Sequence, residues 1–228
     1  MPVNFFYSQW IIFSRAHSIK AGYWFMKVSE RVPCEDFPCV DVIKGAYVVP
    51  GVEIDPLKIR AIMISEAAPT SASDYYYAEG EPLFKKTTVQ AFQDAGLSVR
   101  TIDELLDHGF YLTTAVKCGK SKYSIDTEAV KTCSTLLERE IDLFPNLSVV
   151  MLMGDVAIKA FNEIARRRTG KRVIPPGSTY KIRKAPYYYG DIRVFPSYLQ
   201  AGPSFFIEKS KRTMIAEDIR EALKILGI

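Results

Sequence analysis

The sequence predicts an α/β domain built on a mainly parallel sheet, and three observations carry that prediction. Short apolar runs of strand length recur at 59–64, 110–117, 149–153 and 192–195. Segments with helical spacing of apolar residues lie between and after them, at 83–95, 127–144, 155–168 and 208–226. Strands alternating with helices are the mark of βαβ units. The chain of 228 residues is 48% hydrophobic and 25% charged, the balance of a globular protein that can bury a full core. No internal repeat or low-complexity tract interrupts it.

Each element has its own justification. Residues 1–26 read as an extension ahead of a domain at 27–228, because Met26 followed by Lys27 offers a second start. The apolar stretch 5–13 has no basic region before it and runs into Arg15 and His17, which argues against a signal peptide. Residues 27–56 are punctuated by Pro33, Pro38, Gly45, Pro50, Gly51 and Pro56, so that segment needs a staple or a docking surface to be ordered. The β-branched run 59–64 is a strand that stops at Ser65 and feeds a loop through Pro69 and three tyrosines, Tyr75, Tyr76 and Tyr77. A helix over 83–95 stops at Gly96, and 102–106 is a short second helix. Asp126 caps the helix at 127–144. Gly154-Asp155 opens the next helix, which ends at Arg166-Arg167-Arg168. Residues 169–190 form a loop rich in Pro, Gly, Lys and Tyr, and the last helix, 208–226, is amphipathic.

Composition limits the function. A net charge of +4 and an isoelectric point near 8.7 permit an anionic partner such as nucleic acid without demanding one. No run of 18 or more apolar residues occurs, so no membrane-spanning helix is expected. Without an export signal, the four cysteines read as metal ligands or free thiols rather than disulfides, and a cytoplasmic monomer is expected.

The stretch from Tyr111 to Lys120 is the most informative. An apolar strand that delivers Thr113, Thr114, Lys117 and Cys118 at its carboxyl end matches where open α/β sheets place ligand sites. Cys133 follows on the next helical segment, and Cys34 and Cys39 share a proline-rich loop. Four thiolates from such segments satisfy tetrahedral zinc or a 4Fe–4S cluster equally well. Spacing leaves those two open, together with four unrelated buried cysteines.

The chain resembles the family four uracil-DNA glycosylases of bacteria and archaea. The resemblance rests on Cys34 and Cys39 followed by Val48-Val49-Pro50-Gly51, and on Ile62-Met63-Ile64 running into an Ala-Pro loop. It continues through Thr114-Ala115-Val116-Lys117-Cys118, Cys133 with Leu136-Leu137-Glu138-Arg139-Glu140, Val149 to Gly154, and Val194-Phe195-Pro196-Ser197-Tyr198. It implies a three-layer α/β/α sandwich with a short four-stranded parallel sheet. It also implies that Cys34, Cys39, Cys118 and Cys133 hold a 4Fe–4S cluster, with zinc as the alternative.

At the catalytic positions the residues differ from the family's. Aligned on Ala68-Pro69, the water-orienting acid falls at Ala67, with Glu66 one place before it. The base-reading asparagine corresponds to Thr114, and a hydroxyl lacks the bidentate donor and acceptor of an amide. The His-Pro-Ser after the last strand corresponds to Leu199-Gln200-Ala201, and the chain's two histidines, His17 and His108, stand elsewhere.

The expected function is hydrolysis of the N-glycosidic bond of a deaminated or damaged base in single-stranded DNA or damaged duplex. Glu66 positions the water, Thr114 touches the base, Ser197 stands at the strand end, and Phe84 stacks on the base. Lys117, Tyr198, Lys209, Lys211 and Arg212 contact DNA, with Leu199, Phe205 and Phe206 as apolar wedges. The alternative is a catalytically weak or inactive iron–sulfur module of the same fold that binds DNA without cutting. An unrelated zinc protein is a third reading.

Overall fold

A computed structural model describes residues 25–122 and 124–228, so all but the last two residues of the expected extension lie outside the described part. The elements follow as β1 (Met26–Lys27), β2 (Val42–Ile43), β3 (Glu53–Ile54), β4 (Ala61–Ala68), α1 (Leu83–Asp94), α2 (Ile102–Asp107), β5 (Phe110–Lys120) and α3 (Thr127–Ile141). They continue as β6 (Val149–Met153), α4 (Asp155–Thr169), α5 (Thr179–Ile182), β7 (Tyr187–Tyr189), β8 (Ile192–Ser197), α6 (Ser204–Ile207) and α7 (Lys209–Leu226).

The main sheet has strand order β2-β5-β4-β6-β8-β7. Its centre is the expected four-stranded parallel sheet, β5-β4-β6-β8, and an antiparallel strand closes each edge. The edge strands were hidden in the sequence for different reasons. Val42–Ile43 is too short to show a period, and Tyr187–Tyr189 lies in a stretch whose composition reads as loop. Met26 and Lys27 pair with Ile54 and Glu53 in a separate two-stranded ribbon, so the folded part includes Met26.

Alternation along the parallel strands sorts the core into two layers. Ile62, Ile64, Val150 and Leu152 pack with Val130, Leu137 and Phe161 of α3 and α4. Ala61, Met63, Val149 and Met151 pack on the opposite face with Phe92 of α1 and Ile215 and Ile219 of α7. These are the three layers α/β/α.

Strand β4 runs past Ser65, its expected end, to Ala68. Its neighbour keeps the ladder going, with Ala67 opposite Val116 and, after a register shift, Ala68 opposite Gly119. Pairing overrides the low strand propensity of Glu-Ala-Ala. Helix α3 starts where expected, Asp126 accepting from the Glu128 N–H at 3.0 Å, and stops at Ile141, short of 144. Two of the exposed arginines that end α4 form ion pairs with the neighbouring helix: Arg167 and Arg168 reach back to Glu138 of α3, and Arg168 also to Asp142.

Candidate active site and four-cysteine centre

Strand register defines the working end of the sheet. Thr114 of β5 pairs with Ser65 of β4, and Met153 of β6 with Ser197 of β8, while Ile64 pairs with Leu152. Thr114, Ser65, Met153 and Ser197 therefore form one row across the four parallel strands, near their carboxyl ends. They share the face toward α1 and α7, since Met63, Leu112 and Phe195 lie two residues back on that face.

Glu66 follows Ser65 and turns to the other face. Its Oε2 accepts from the Lys120 ammonium at 3.1 Å, and its Oε1 lies 3.5 Å from the Val156 N–H in the first turn of α4. The carboxylate thus rests on a helix N-terminus, where unpaired N–H groups and the helix dipole favour an anion. Gly154 makes the approach possible. Its φ is +102°, and a Cβ there would stand 2.7 Å from Glu66 Oε1. Glu66 keeps partial solvent access, with 16% of its side chain exposed, so it can hold a water molecule.

The Thr114 side chain is fully buried, and its Oγ1 has no hydrogen-bond partner. Beside it, Ser65 Oγ donates to Gln200 Oε1 at 3.0 Å and also meets the Tyr76 hydroxyl. Burial pushes the Tyr76 phenol well above its ordinary pKa, against the hydrogen bonds from Ser65 and Gln200, so it stays neutral. The half-buried Phe84 ring packs on Tyr76 at 5.3 Å between centroids, which places Phe84 at the rim of this polar cluster. Gln200, Ser65 and Tyr76 form a buried polar cluster beside Thr114 that sequence reasoning did not single out. Gln200 stood only as a departure from a motif, and no local pattern reveals that the loop after β8 folds its amide back onto β4.

Four expected site residues take other roles. Lys117 is not on a DNA-facing side. Its side chain is fully buried between β5 and α3, where the ammonium bonds Thr113 Oγ1 and the Thr114 carbonyl, each at 2.7 Å, and pairs with the equally buried Glu140. Glu140 also accepts from the Tyr111 and Thr113 hydroxyls, at 2.6 and 2.9 Å. A charge this deep needs such a cage. Ser197 does not face a reacting centre either. It is buried and donates to Asp218 of α7 at 2.6 Å, and Asp218 is held in turn by Arg183. Desolvation raises the Asp218 carboxyl above its usual range, against the pull of Ser197 and Arg183. Arg212 pairs with Asp94 of α1 and lies over the Phe205 ring, so its charge is largely neutralised where it stands. Phe205 is core and cannot act as a wedge.

The remaining DNA-facing candidates lie on the surface after β8. Tyr198 and Leu199 are half-buried, and Phe206 is exposed. Lys209 is exposed, while Lys211 pairs with Glu208 at 2.8 Å and stands 5.6 Å over the Tyr198 ring.

The four cysteines, all free thiols, come together around one cavity of about 200 Å³ between the 33–39 loop, β5 and α3. Local structure builds it. Strand β2, just after Cys39, pairs with Gly119 and Lys120 beside Cys118. Tyr47 accepts from the Cys34 N–H at 3.0 Å and packs edge-on against Phe37 at 4.8 Å. The Lys117 N–H donates to Cys133 Sγ at 3.2 Å. Burial, then mutual repulsion among the cysteines, pushes Cys118 up to about 12. Burial likewise pushes Cys133 up to about 11, against the pull of Lys117. Thiols raised as far as those of Cys118 and Cys133 do not ionise near neutral pH without a cation to compensate them.

The four cysteines line this one cavity and bring an all-thiol donor set to it, which fits a 4Fe–4S cluster and, equally, a tetrahedral zinc ion.

Comparison with known proteins agrees with this architecture. Residues 53–223 match the family model described as "Uracil DNA glycosylase superfamily". A curated relative, the type-5 uracil-DNA glycosylase of Thermus thermophilus, is 26% identical over 139 residues. That alignment covers 59% of this chain and 61% of the relative, so the chain spans about three fifths of the relative's length. The family-four resemblance and the type-5 relative meet at the level of the superfamily. With three-quarters of its length matched by the family model, on a sheet that gathers Glu66, Thr114 and Gln200 at its carboxyl end, the chain belongs to the uracil DNA glycosylase superfamily.

Proposed function

We propose that the protein hydrolyses the N-glycosidic bond of a deaminated or otherwise altered base in DNA. The observation that carries this reading is Glu66, held on the N-terminus of α4 next to Lys120 at the open end of the sheet. A glycosylase draws the nucleotide out of the stack, holds the base, and stabilises a cationic sugar while the base departs as an anion. Glu66 supplies the negative group that faces the sugar and orients the attacking water. Phe84 offers a face on which the extruded base stacks. Lys209, Lys211 and the Tyr198–Leu199 segment meet the DNA backbone and the gap left in the stack, on single-stranded DNA or a damaged duplex.

In this reading Cys34, Cys39, Cys118 and Cys133 hold a 4Fe–4S cluster, and the protein works as a cytoplasmic monomer. Among the described residues no helix is long and apolar enough to cross a membrane. The cluster would brace the structure by clamping the 33–39 loop to β5 and α3, and no chemical step passes through it.

The test is a panel of oligonucleotides carrying uracil, hypoxanthine or a mismatch. Release of a base, slowed at least about 100-fold by Glu66→Ala, is the expected result. The full burial of Thr114 and Gln200 favours a second reading, a module that grips altered DNA without cutting it. Retarded migration of the oligonucleotides with no abasic product on any of them would establish that reading.

A further inference from the structure

Helix α1 borders a groove of about 390 Å³ that the site described above does not use. Lys85, Lys86, Val89, Gln90 and Gln93 recur at helical spacing, so one face of α1 forms its wall. Arg100, just after α1, and Phe206 of α6 also line it. The volume is that of a site for a small ligand. Its charge is positive. Lys85, Lys86 and Arg100 stand against one acid, Glu81, which lies 3.9 Å from each lysine ammonium, near the outer limit of an ion pair. The Glu81 side chain is 69% exposed, so water screens those two pairs and they neutralise little. The Arg100 guanidinium makes no ion pair among the described residues.

Phe206 is the unusual member of this lining. Its ring is 45% exposed, while the neighbouring Phe205 is core and meets it edge-on at 5.4 Å. That contact backs the ring and holds it beside α1, so Phe206 borders a groove rather than standing free as a wedge. An exposed aromatic face beside cations that keep their charge is how proteins hold unpaired nucleotides, the base on the ring and the phosphate on the cation. The groove also runs on toward the candidate site. Lys85 follows Phe84, whose ring packs on Tyr76, and Lys85 and Thr101 line an adjoining hollow bounded by Tyr76 and Tyr77.

We propose that this groove holds a nucleotide flanking the extruded one, its base against Phe206 and its phosphate among Lys85, Lys86 and Arg100, and that the protein therefore engages single-stranded DNA in preference to duplex. This rests on the reading of the chain as a protein that engages altered bases in DNA. A flanking base enters the groove only when it is unpaired. In a duplex it is paired and stacked, and drawing it out costs free energy on top of extruding the altered base. In a single strand that second cost is absent and the contact with the ring is gained.

The experiment uses the full chain and oligonucleotides carrying one central uracil or hypoxanthine, single-stranded or annealed to a complement. One flanking base at a time is replaced by an abasic residue. Affinity is read by fluorescence anisotropy, and release of the central base is measured in the same samples. The single strand is expected to bind at least about tenfold more tightly than the duplex. One flanking position should stand out, its missing base weakening the single strand at least about fivefold. Phe206→Ala should cost as much on the intact single strand, nothing further on the strand lacking that base, and little on the duplex. Phe206→Trp should keep the affinity. Lys86→Ala and Arg100→Ala together should flatten the salt dependence of single-strand binding by a slope of roughly 0.7 or more.

If Phe206→Ala does not melt cooperatively, Phe206→Leu, which keeps apolar bulk without a ring, takes its place. A Phe206→Ala loss as large on duplex as on the single strand would make the ring a wedge and overturn the proposal. Equal binding of both DNA forms, or a Phe206→Ala loss that adds in full to that of every missing flanking base, would overturn it as well. Coupling between Phe206 and one flanking base without release of the central base would remove the hydrolase reading and leave this inference standing. Release of the base without that coupling would do the reverse.

Discussion

Glu66 and Gly154 illustrate what single residues decide in this protein. The carboxylate can lie on the α4 N-terminus only because position 154 has no side chain and adopts a φ of +102°. That conformation is close to exclusive to glycine, and a substituted residue costs about 1–3 kcal/mol there. Gly154→Ala is expected to lower the melting temperature modestly and to slow base release by more than about tenfold, because the new Cβ displaces the carboxylate. Melting curves with single-turnover rates check this, and a Gly154→Ala variant with normal turnover would contradict the placement of Glu66. Glu66 was legible in the sequence as a polar residue at a strand end. Its partner glycine was legible only as a helix start, because the contact joins β4 to the turn between β6 and α4, which is distant in the chain.

Among the elements, β5 bears the most. Thr114, Lys117 and Cys118 follow one another along it, and each meets a different neighbour. The Lys117–Glu140 pair is wholly enclosed between β5 and α3, with Tyr111 and Thr113 completing its cage. Removing one partner leaves the other charge stranded, so Glu140→Leu or Lys117→Met should each destabilise by about 3–5 kcal/mol. The double change Lys117→Met with Glu140→Leu should recover much of that loss. Denaturant unfolding of the three variants measures it, and additive losses would show that the pair does not act as a unit.

The sequence displayed this strand clearly through its apolar run but misplaced Lys117. A lysine next to a threonine pair and a cysteine reads as surface chemistry, and only the packed α3 brings the carboxylate that lets it be buried. Ser197 misled for the same reason, its partner Asp218 lying on the last helix.

Taken whole, the molecule was more readable in its architecture than in its chemistry. Four parallel strands, their order along the chain and the flanking helices follow from local periodicity, which one stretch of residues carries by itself. The edge strands, the Ser65–Tyr76–Gln200 cluster and the fate of each charged group depend on contacts between distant segments. The cysteine site stands between these cases. Its four members were apparent as candidates, and the fold brings all four to one cavity.

Protein purified without oxygen is expected to be brown from visible iron–sulfur absorption, which Cys118→Ser abolishes. A colourless protein holding one zinc ion would replace the cluster by a single metal. Stripping the site should lower thermal stability, since the 33–39 loop would lose its clamp to β5 and α3.

That same strand ties two parts of the molecule to one residue. Cys118 and Thr114 lie four residues apart on one extended backbone, roughly 13 Å end to end. Between them Lys117 uses its N–H to hold Cys133 and its side chain to hold the Thr114 carbonyl. A shift of the backbone at Lys117 would therefore be felt on both sides at once, at the cysteine cavity and in the buried row that contains Thr114.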